Sequence, residues 1–201
     1  MYPYLRSARV VAAAFLGSTL DFEGESVLRL RVGLSDIDVF WELNNGRHLT
    51  LMDLGRFDFA VRSGFLKVVH RQGWGLTVGG ASVRFRRRIP PFRRILLRTR
   101  VVGHDDRWFY FDQKIEREGR VCSAALVRTA VIAKGRMVPV HRVREALGRP
   151  GWTPEPPPWV QAWIDAEGNA IALRRGAEIV IDDETKTLRI SGIVRPRDVL
   201  N

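Results

Sequence analysis

The sequence predicts an α+β protein in which one buried helix precedes a meander of antiparallel strands. Three observations support this fold class. Apolar residues over positions 44–63 recur with a helical period, whereas positions 76–133 contain long stretches in which apolar and polar residues alternate. Short segments at 103–106 and 118–119, rich in glycine and acidic residues, separate the later stretches. Because turns this short join only antiparallel neighbours, these strands are expected to form a meander that packs on the helix.

The predicted elements follow one another with little intervening chain. A lead helix over residues 4–18 comes first, a strand at 25–34 follows, and the long helix covers 44–63. Apolar side chains lie nearly all round the long helix, which indicates burial on several sides, and Gly64 provides a C-terminal stop. The remaining strands are predicted at 76–89, 93–103, 107–117 and 120–133. Gly79-Gly80 indicates either a bulge or a place where another backbone approaches closely.

Three segments are expected along the chain. Residues 1–22 form an N-terminal lead segment, residues 23–147 form the main domain, and residues 148–201 form an extension. The extension begins with a linker rich in proline and glycine at 148–158. A short helix at 156–166 and a hairpin at 178–194, with its turn at 182–186, are predicted to follow.

The composition is that of an ordinary globular chain. Its 201 residues are 45% apolar, which is enough for one sizeable core. The single cysteine, Cys122, excludes an intrachain disulfide and favours a reducing compartment, so a cytoplasmic location is expected. The four histidines lack the close spacing of metal ligands, and neither a metal site nor a cofactor is expected.

The net charge of +11 comes mostly from arginine and has several explanations. Nucleic acid, an acidic lipid surface, an anionic ligand and a merely solvated sheet face all fit it. The sequence shows neither an RNA-binding signature of aromatic and basic residues nor a helix-turn-helix pattern, so a nucleic-acid partner is not expected. The densest cluster suits either phosphate binding or a charged outer sheet face, and consists of Arg84, Arg86, Arg87 and Arg88.

The lead helix contains an apolar run at 10–16 that is too short to span a bilayer, which needs about 20 such residues. A helix packed on the domain is the favoured interpretation. Peripheral contact with a membrane surface and a secretory signal are the alternatives.

The segment 34–45 carries the strongest indication of chemistry. Asp36 and Asp38 stand at the end of the first predicted strand, and Asn44-Asn45 opens the long helix. The first turn of a helix has unpaired N–H groups and a partial positive charge. A carboxylate beside such donors is the arrangement that acyl-transfer hydrolysis requires. The alternative is that the acids only stabilise the loop and the helix start.

The same segment resembles hotdog-fold acyl-CoA thioesterases of the 4-hydroxybenzoyl-CoA thioesterase type. Their pattern is approximately Asp-x-Asp-x-x-Gly-His-x-Asn-Asn. The positions that match it are Asp36, Asp38, Asn44 and Asn45, while Trp41 and Glu42 stand where glycine and histidine are usual. The resemblance covers about residues 23–165 and includes the hairpin at 102–110 and the short helix after 156. It is strongest to the branch that includes thioesterase superfamily member six.

The resemblance implies a hotdog fold, in which an antiparallel sheet of five or six strands wraps a long central helix. It also implies hydrolysis of an acyl-CoA, with Asp38 as nucleophile or general base and the N–H near Asn45 as oxyanion donor. Glu42 departs from the family pattern, and its closeness to Asp38 suggests either that the two carboxylates share the acid and base roles or that the site is no longer catalytic. The implied substrate-binding residues are Asp36, Trp41, Asn44, Arg84, Arg86 and Arg88. A homodimer or a higher homo-oligomer is expected, joined through the strand 120–133 or its neighbour.

A non-catalytic hotdog module is the alternative function. Glu42 adds negative charge near Asp38 where histidine is usual, and Trp41 adds bulk where the acyl chain or pantetheine would pass. Such a module would bind an acyl thioester, a lipid or a protein partner without turnover.

Overall fold

The structure is a computed structural model that describes residues 3–174, 178–182 and 187–191. The described residues up to Glu155 form one compact unit, and those from Pro156 onward form a second. The helices are α1 (Tyr4–Leu16), α2 (Asn45–Arg62), α3 (Phe65–Arg71), α4 (Val140–Ala146) and α5 (Pro158–Arg174). The strands are β1 (Ser26–Arg31), β2 (Gly75–Phe85), β3 (Arg94–His104), β4 (Phe109–Arg117), β5 (Arg120–Ala133), β6 (Arg136–Met137), β7 (Glu178–Asp182) and β8 (Thr187–Ser191).

The predicted α+β class and hotdog architecture are confirmed. The main sheet has the order β1-β3-β4-β5-β2, its strands are antiparallel, and β6 pairs with the end of β5. Helix α2 packs against β1, β3 and β4. Strand β5 pairs with β4 and with β2, so it lies inside the sheet and leaves β1 and β2 as the edges.

Helix α2 begins and ends where its flanking residues dictate. The side-chain oxygen of Asn44 accepts a hydrogen bond of 2.9 Å from the Gly46 N–H, which caps the first turn. At the other end Gly64 adopts a φ of 75°, a conformation that favours glycine and stops the helix. Between them α2 buries Leu51, Met52, Leu54 and Phe59 in the core.

Gly55 sits where α2 approaches β3 most closely. A Cβ at this position would overlap the Thr99 hydroxyl and lie 2.8 Å from Leu97 Cδ2. Glycine is therefore required here because the backbone of α2 touches side chains of the sheet directly. Thr99 is itself fully buried and accepts a hydrogen bond of 2.9 Å from Gln113 Nε2.

The predicted bulge in β2 is confirmed. The pairing of β2 with β5 shifts register between Val78 and Gly80. The indole of Trp108 lies directly over Gly79, where any side chain would collide with the ring. The guanidinium of Arg128 lies 5.1 Å from the centre of the same ring, so a cation–π contact holds the indole over the bulge.

Tight turns connect the long strands. Glu118 and Gly119 join β4 to β5, and Lys134 and Gly135 join β5 to β6, all four with φ between 49° and 76°. Two successive residues in the left-handed region give the hairpin turn whose twist matches that of the strands. The predicted bounds of β5, 120–133, are confirmed by the structure.

Other elements differ from the sequence-based expectation. Helices α3 and α4 were not predicted, and α5 continues to Arg174. Strand β1 ends at Arg31 and is followed by a 3-10 turn at Leu34–Asp36, so it is shorter than expected. Part of the predicted turn of the C-terminal hairpin, residues 183–186, lies outside the described residues. Within the described ranges, no helix combines the length and apolar character needed to cross a membrane.

The core also contains Cys122, which is buried on β5. Burial raises the pKa of its thiol, although Arg117 opposes the shift. The thiol donates a weak hydrogen bond of 3.6 Å to the Arg120 carbonyl.

Candidate functional site

The loop between β1 and α2 is a tight reversal of the chain. Ile37 and Leu43 form an isolated antiparallel bridge across its base. Above the bridge, the N–H of Asp38 donates to the Glu42 carbonyl at 3.0 Å, and that of Trp41 donates to the Asp38 carbonyl at 3.2 Å. The Leu43 N–H donates to the Ile89 carbonyl at 2.8 Å, which ties the base of the loop to the segment that joins β2 to β3.

The first turn of α2 leaves one backbone donor available. The N–H groups of Arg47 and His48 bond to the Asn44 carbonyl, and that of Gly46 bonds to the Asn44 side chain. The N–H of Asn45 has no acceptor among the described residues. A free N–H at a helix start can hold the oxygen of a polarised carbonyl or an oxyanion.

A cavity of about 190 Å³ opens at this point, and we call it the helix-start cavity. It lies between the first turn of α2, the end of the preceding loop and the chain that follows β2. Its lining residues are Glu42, Leu43, Asn45, His48, Phe85, Arg86, Arg87, Arg88 and Ile89. Two residues expected to be catalytic, Glu42 and Asn45, therefore share one cavity with two arginines expected to bind substrate, Arg86 and Arg88.

Glu42 and Arg88 form an ion pair at the cavity wall, from Arg88 Nε to Glu42 Oε2. Arg88 is largely exposed, whereas the Glu42 side chain is mostly buried. The cavity thus contains a carboxylate, a free backbone donor and several cations. These groups are suited to a polar reaction on an anionic substrate.

Asp38 lies near the cavity without being one of its lining residues. Its Oδ1 accepts a hydrogen bond of 2.9 Å from the Phe40 N–H, a contact that stabilises the loop. Trp41 is 68% exposed with a φ of 57°, and its side chain does not line the cavity either. Asn44 caps α2, and Arg84 lies exposed on β2.

Asp36 has a clear structural role. Its side chain is fully buried, and Oδ2 accepts hydrogen bonds from Arg6 Nη1 at 2.8 Å and from the Gly33 N–H at 2.9 Å. Oδ1 accepts from Arg47 Nη2 at 2.8 Å. Both carboxylate oxygens are therefore occupied by protein donors from α1, the loop and α2. This bonding explains the position of Asp36 without a substrate.

His48 is a member of the cavity that was not singled out from the sequence. It is buried, and its Nδ1 lies 2.9 Å from Ser123 Oγ on β5. Burial lowers the pKa of the imidazole to about 4, although a hydrogen bond with the Leu43 backbone opposes the shift. The imidazole is therefore neutral at pH 7. Its place three residues after Asn45, on the same helix face, was the available signal.

A second cavity of about 200 Å³ lies deeper along α2, beside β2. Its walls are mainly apolar and include Phe57, Leu76 and Phe111. Burial raises the pKa of Asp53 on its wall, although Arg56 opposes the shift. Arg56 pairs with Asp53, as the spacing of the two residues predicts, and also donates to the buried Gln113.

The described residues contain no group of three or more histidine, cysteine, aspartate or glutamate side chains placed to hold a metal ion.

Comparison with known proteins decides the family. The family model described as the thioesterase-like superfamily matches residues 32–164. This chain belongs to the thioesterase-like superfamily. Protein THEM6 of Danio rerio is 31% identical over 169 residues, which cover 83% of this chain and 81% of that protein. Protein THEM6 of Drosophila melanogaster is 29% identical over 134 residues, 65% of this chain and 67% of that protein.

Solved structures of this kind share the fold. A probable thioesterase from Escherichia coli, YbaW, superposes with a TM-score of 0.57 at 19% identity, over 61% of this chain and 96% of that chain. A 1,4-dihydroxy-2-naphthoyl-CoA thioesterase from Synechocystis superposes with a TM-score of 0.54 at 17% identity, over 62% of this chain and 95% of that chain. At these identities the structures establish the hotdog fold alone, and membership of the superfamily supports thioester hydrolysis as the general class of activity.

The buried histidine of this superfamily member predicts a specific loss of stability in mild acid. The unfolded chain protonates His48 near the ordinary pKa of 6.5, while the folded chain resists protonation until about pH 4. Stability is thus complete above pH 6.5 and falls as the pH approaches 4. At pH 5 this residue alone lowers the free energy of unfolding by about 2 kcal/mol relative to pH 7.

Urea unfolding at pH 7 and pH 5 measures this effect. His48→Asn keeps a hydrogen-bonding group for Ser123 but does not titrate, so its stability is expected to fall less between the two pH values. An equal fall in both proteins would contradict the assignment.

Proposed function

We propose that this protein hydrolyses an acyl-CoA thioester in the helix-start cavity. The observation that carries the proposal is the composition of that cavity in a member of the thioesterase-like superfamily. It combines the free N–H of Asn45, the carboxylate of Glu42 and the arginines at 86–88.

The N–H of Asn45 would bind the thioester carbonyl oxygen. Attack on the carbonyl carbon places a negative charge on that oxygen, and a preset backbone donor stabilises the charge. One such donor is typically worth about 10²–10³ in rate. The partial positive charge at the start of α2 acts in the same direction.

Glu42 would serve as the general base. Its carboxylate takes a proton from a water molecule, the water oxygen bonds to the thioester carbon, and the C–S bond breaks. The departing thiolate then receives a proton and leaves as coenzyme A. Glu42 is preferred to Asp38 because it lines the cavity with Asn45, whereas Asp38 caps the Phe40 N–H. Asp38 as nucleophile or base is the alternative within the same mechanism.

The arginines indicate a phosphate-bearing thiol carrier. Arg86, Arg87 and Arg88 are exposed at the mouth of the cavity, and guanidinium groups pair well with phosphate oxygens. Coenzyme A would place its phosphates there and its thioester beside Asn45. A neutral acyl thiol would use none of these cations.

The proposed assembly is a homodimer, and the single cysteine fits the proposed cytoplasmic location. Because β5 is internal, its neighbour β2, one of the two edge strands, is the proposed strand for joining two sheets. It is 11 residues long and pairs with another strand along one side only. Pairing with the β2 of a second copy would satisfy the backbone groups of the free side.

The test is hydrolysis of acyl-CoAs of graded chain length, followed through release of the thiol. Glu42→Gln is expected to lower kcat about 100-fold or more, because it removes a general base. Arg88→Gln also breaks the ion pair between Arg88 and Glu42, but it keeps the Glu42 carboxylate. Because it removes a proposed phosphate-binding group, it should raise KM while kcat stays within about threefold. Light scattering on the same protein should give the mass of a dimer.

Asp38→Asn is the matched control, since it removes a carboxylate from the same loop. It is expected to keep most of the activity. Loss of activity in Asp38→Asn with retention in Glu42→Gln would transfer the base role to Asp38. Binding of coenzyme A derivatives without turnover by the wild-type protein would replace hydrolysis with the non-catalytic alternative.

A further inference from the structure

The tip of the loop between β1 and α2 presents three consecutive apolar side chains to solvent. Val39 is 86% exposed, Phe40 is 70% exposed and Trp41 is 68% exposed. Single exposed apolar residues are common on protein surfaces, but a contiguous group of this kind usually marks a contact surface. The tip therefore requires an explanation beyond the fold.

The loop is built to keep this tip extended. The Ile37–Leu43 bridge closes its base, and the three apolar residues lie beyond that bridge. The positive φ of Trp41 and the Trp41–Asp38 hydrogen bond turn the chain sharply at the tip. The side chains thus project from a braced reversal of the backbone.

A segment rich in basic residues lies beside the base of this loop. Three backbone hydrogen bonds of 2.8–3.0 Å hold the segment 86–94 beside residues 32–43. The Leu43 N–H donates to the Ile89 carbonyl, the Phe92 N–H donates to the Val32 carbonyl, and the Val32 N–H donates to the Arg93 carbonyl. We call the apolar tip with the exposed cations of this segment the loop face. These cations are Arg86, Arg87, Arg88, Arg93 and Arg94.

Most of the charge of the loop face is left without an ion pair by the residues that the structure describes. Arg88 pairs with Glu42. Among the side chains that the structure describes, those of residues 3–167, no ion pair is formed by Arg86, Arg87, Arg93 or Arg94. In the loop, Asp36 is buried between two arginines and Asp38 caps Phe40. Glu116 and Glu118, which line one cavity with Arg93 and Arg94, pair with Arg98 and Arg117 instead. The loop face therefore combines exposed apolar side chains with nearby unpaired arginines.

We propose that the loop face docks on the surface of an anionic lipid bilayer. The Phe40 and Trp41 side chains enter the interfacial layer, where aromatic rings are favoured, and the arginines pair with lipid phosphates. Val39 has no π-face on which a nucleic-acid base could stack, whereas hydrocarbon accommodates it readily. Apolar insertion combined with cationic attraction is the physical basis of peripheral membrane binding. This inference does not depend on hydrolysis.

Sedimentation with lipid vesicles tests the proposal. The full chain is mixed with vesicles of phosphatidylcholine, alone or with roughly a third phosphatidylserine. Binding is expected on the anionic vesicles. The double substitution Phe40→Ser, Trp41→Gly should weaken it about tenfold or more. Glycine suits the positive φ of position 41, so the loop is expected to keep its conformation.

Two matched controls separate the loop face from the rest of the surface. Phe15→Ser with Leu16→Ser removes two exposed apolar side chains at the far end of α1, about 18 Å along the helix from its start. Arg120→Ser with Arg136→Ser lowers the net charge as much as Arg93→Ser with Arg94→Ser. Only the Arg93/Arg94 pair and the Phe40/Trp41 pair are expected to weaken binding strongly.

Three results would overturn the proposal. The first is an absence of binding of the wild-type protein to either vesicle. The second is equal weakening by the loop-face variants and their controls, which would show that binding is not specific to the loop face. The third is a change in mass on light scattering when Phe40 and Trp41 are replaced, which would show that the face joins two copies of the chain.

Discussion

Gly55→Leu is expected to leave no stably folded protein. Even a Cβ at this position overlaps the Thr99 hydroxyl and crowds Leu97, and leucine adds three further carbons to the same contact. Helix α2 and strand β3 would have to separate, which would open the core between the helix and the sheet. Overpacking by single methylene groups already costs about 1–3 kcal/mol. The cost of adding a whole leucine side chain is therefore expected to exceed the free energy of unfolding of an ordinary domain.

Circular dichroism and yield of soluble protein measure this result. Gly55→Ala provides the graded case and should lower the free energy of unfolding by about 1–3 kcal/mol, since the added methyl outweighs its better helix propensity. Gly151→Ala is the matched control because its Cβ would meet no atom within 4 Å. A folded Gly55→Leu protein would show that α2 and β3 are not packed this closely.

Asp36→Asn is expected to cost about 3 kcal/mol of folding stability. The substitution leaves Arg6 and Arg47 facing a neutral group in a site where the carboxylate is fully buried. These contacts join α1, the loop and the first turn of α2, so the loss should also loosen the start of the central helix. Asp21→Asn is the control, because its ion pair with Arg149 is exposed to solvent and should contribute far less to folding stability.

The same carboxylate should give an acid-dependent stability. Burial raises the pKa of Asp36, but the Gly33 N–H, Arg6 and Arg47 together outweigh it and leave the pKa below the ordinary 3.8. The folded state therefore binds fewer protons than the unfolded state. Its contribution is complete above about pH 4 and is lost as the pH falls below that value. Denaturant unfolding from pH 6 to pH 3 should show a smaller fall for Asp36→Asn than for the wild-type protein.

The elements whose signals are local could be predicted from the sequence. Strand β5 lies between two turns, each with a glycine as its second residue, so its bounds follow directly. Helix α2 carries its own cap in Asn44 and its own stop in Gly64. These features depend on residues within a few positions of one another.

Other features depend on contacts between distant residues. Gly64 ends α2 and is also the residue immediately before α3. The glycine therefore predicted the end of one helix but gave no indication that another begins there. The partners of Asp36 lie 30 and 11 residues away, and His48 meets Ser123 across 75 residues. The sequence motif identifies Asp36 and Asp38 as candidate site residues. Only the folded structure shows which of their carboxylate oxygens already accept hydrogen bonds from the protein.

The buried position of Cys122 gives this chain an unreactive native thiol. Because its pKa is raised and its sulfur is covered, little thiolate is present at neutral pH to meet an alkylating reagent. A cysteine introduced at an exposed site such as position 39 would therefore be modified first, without removal of the native residue. Fluorescent or spin labels can in this way be attached to a chosen surface of the otherwise unaltered protein.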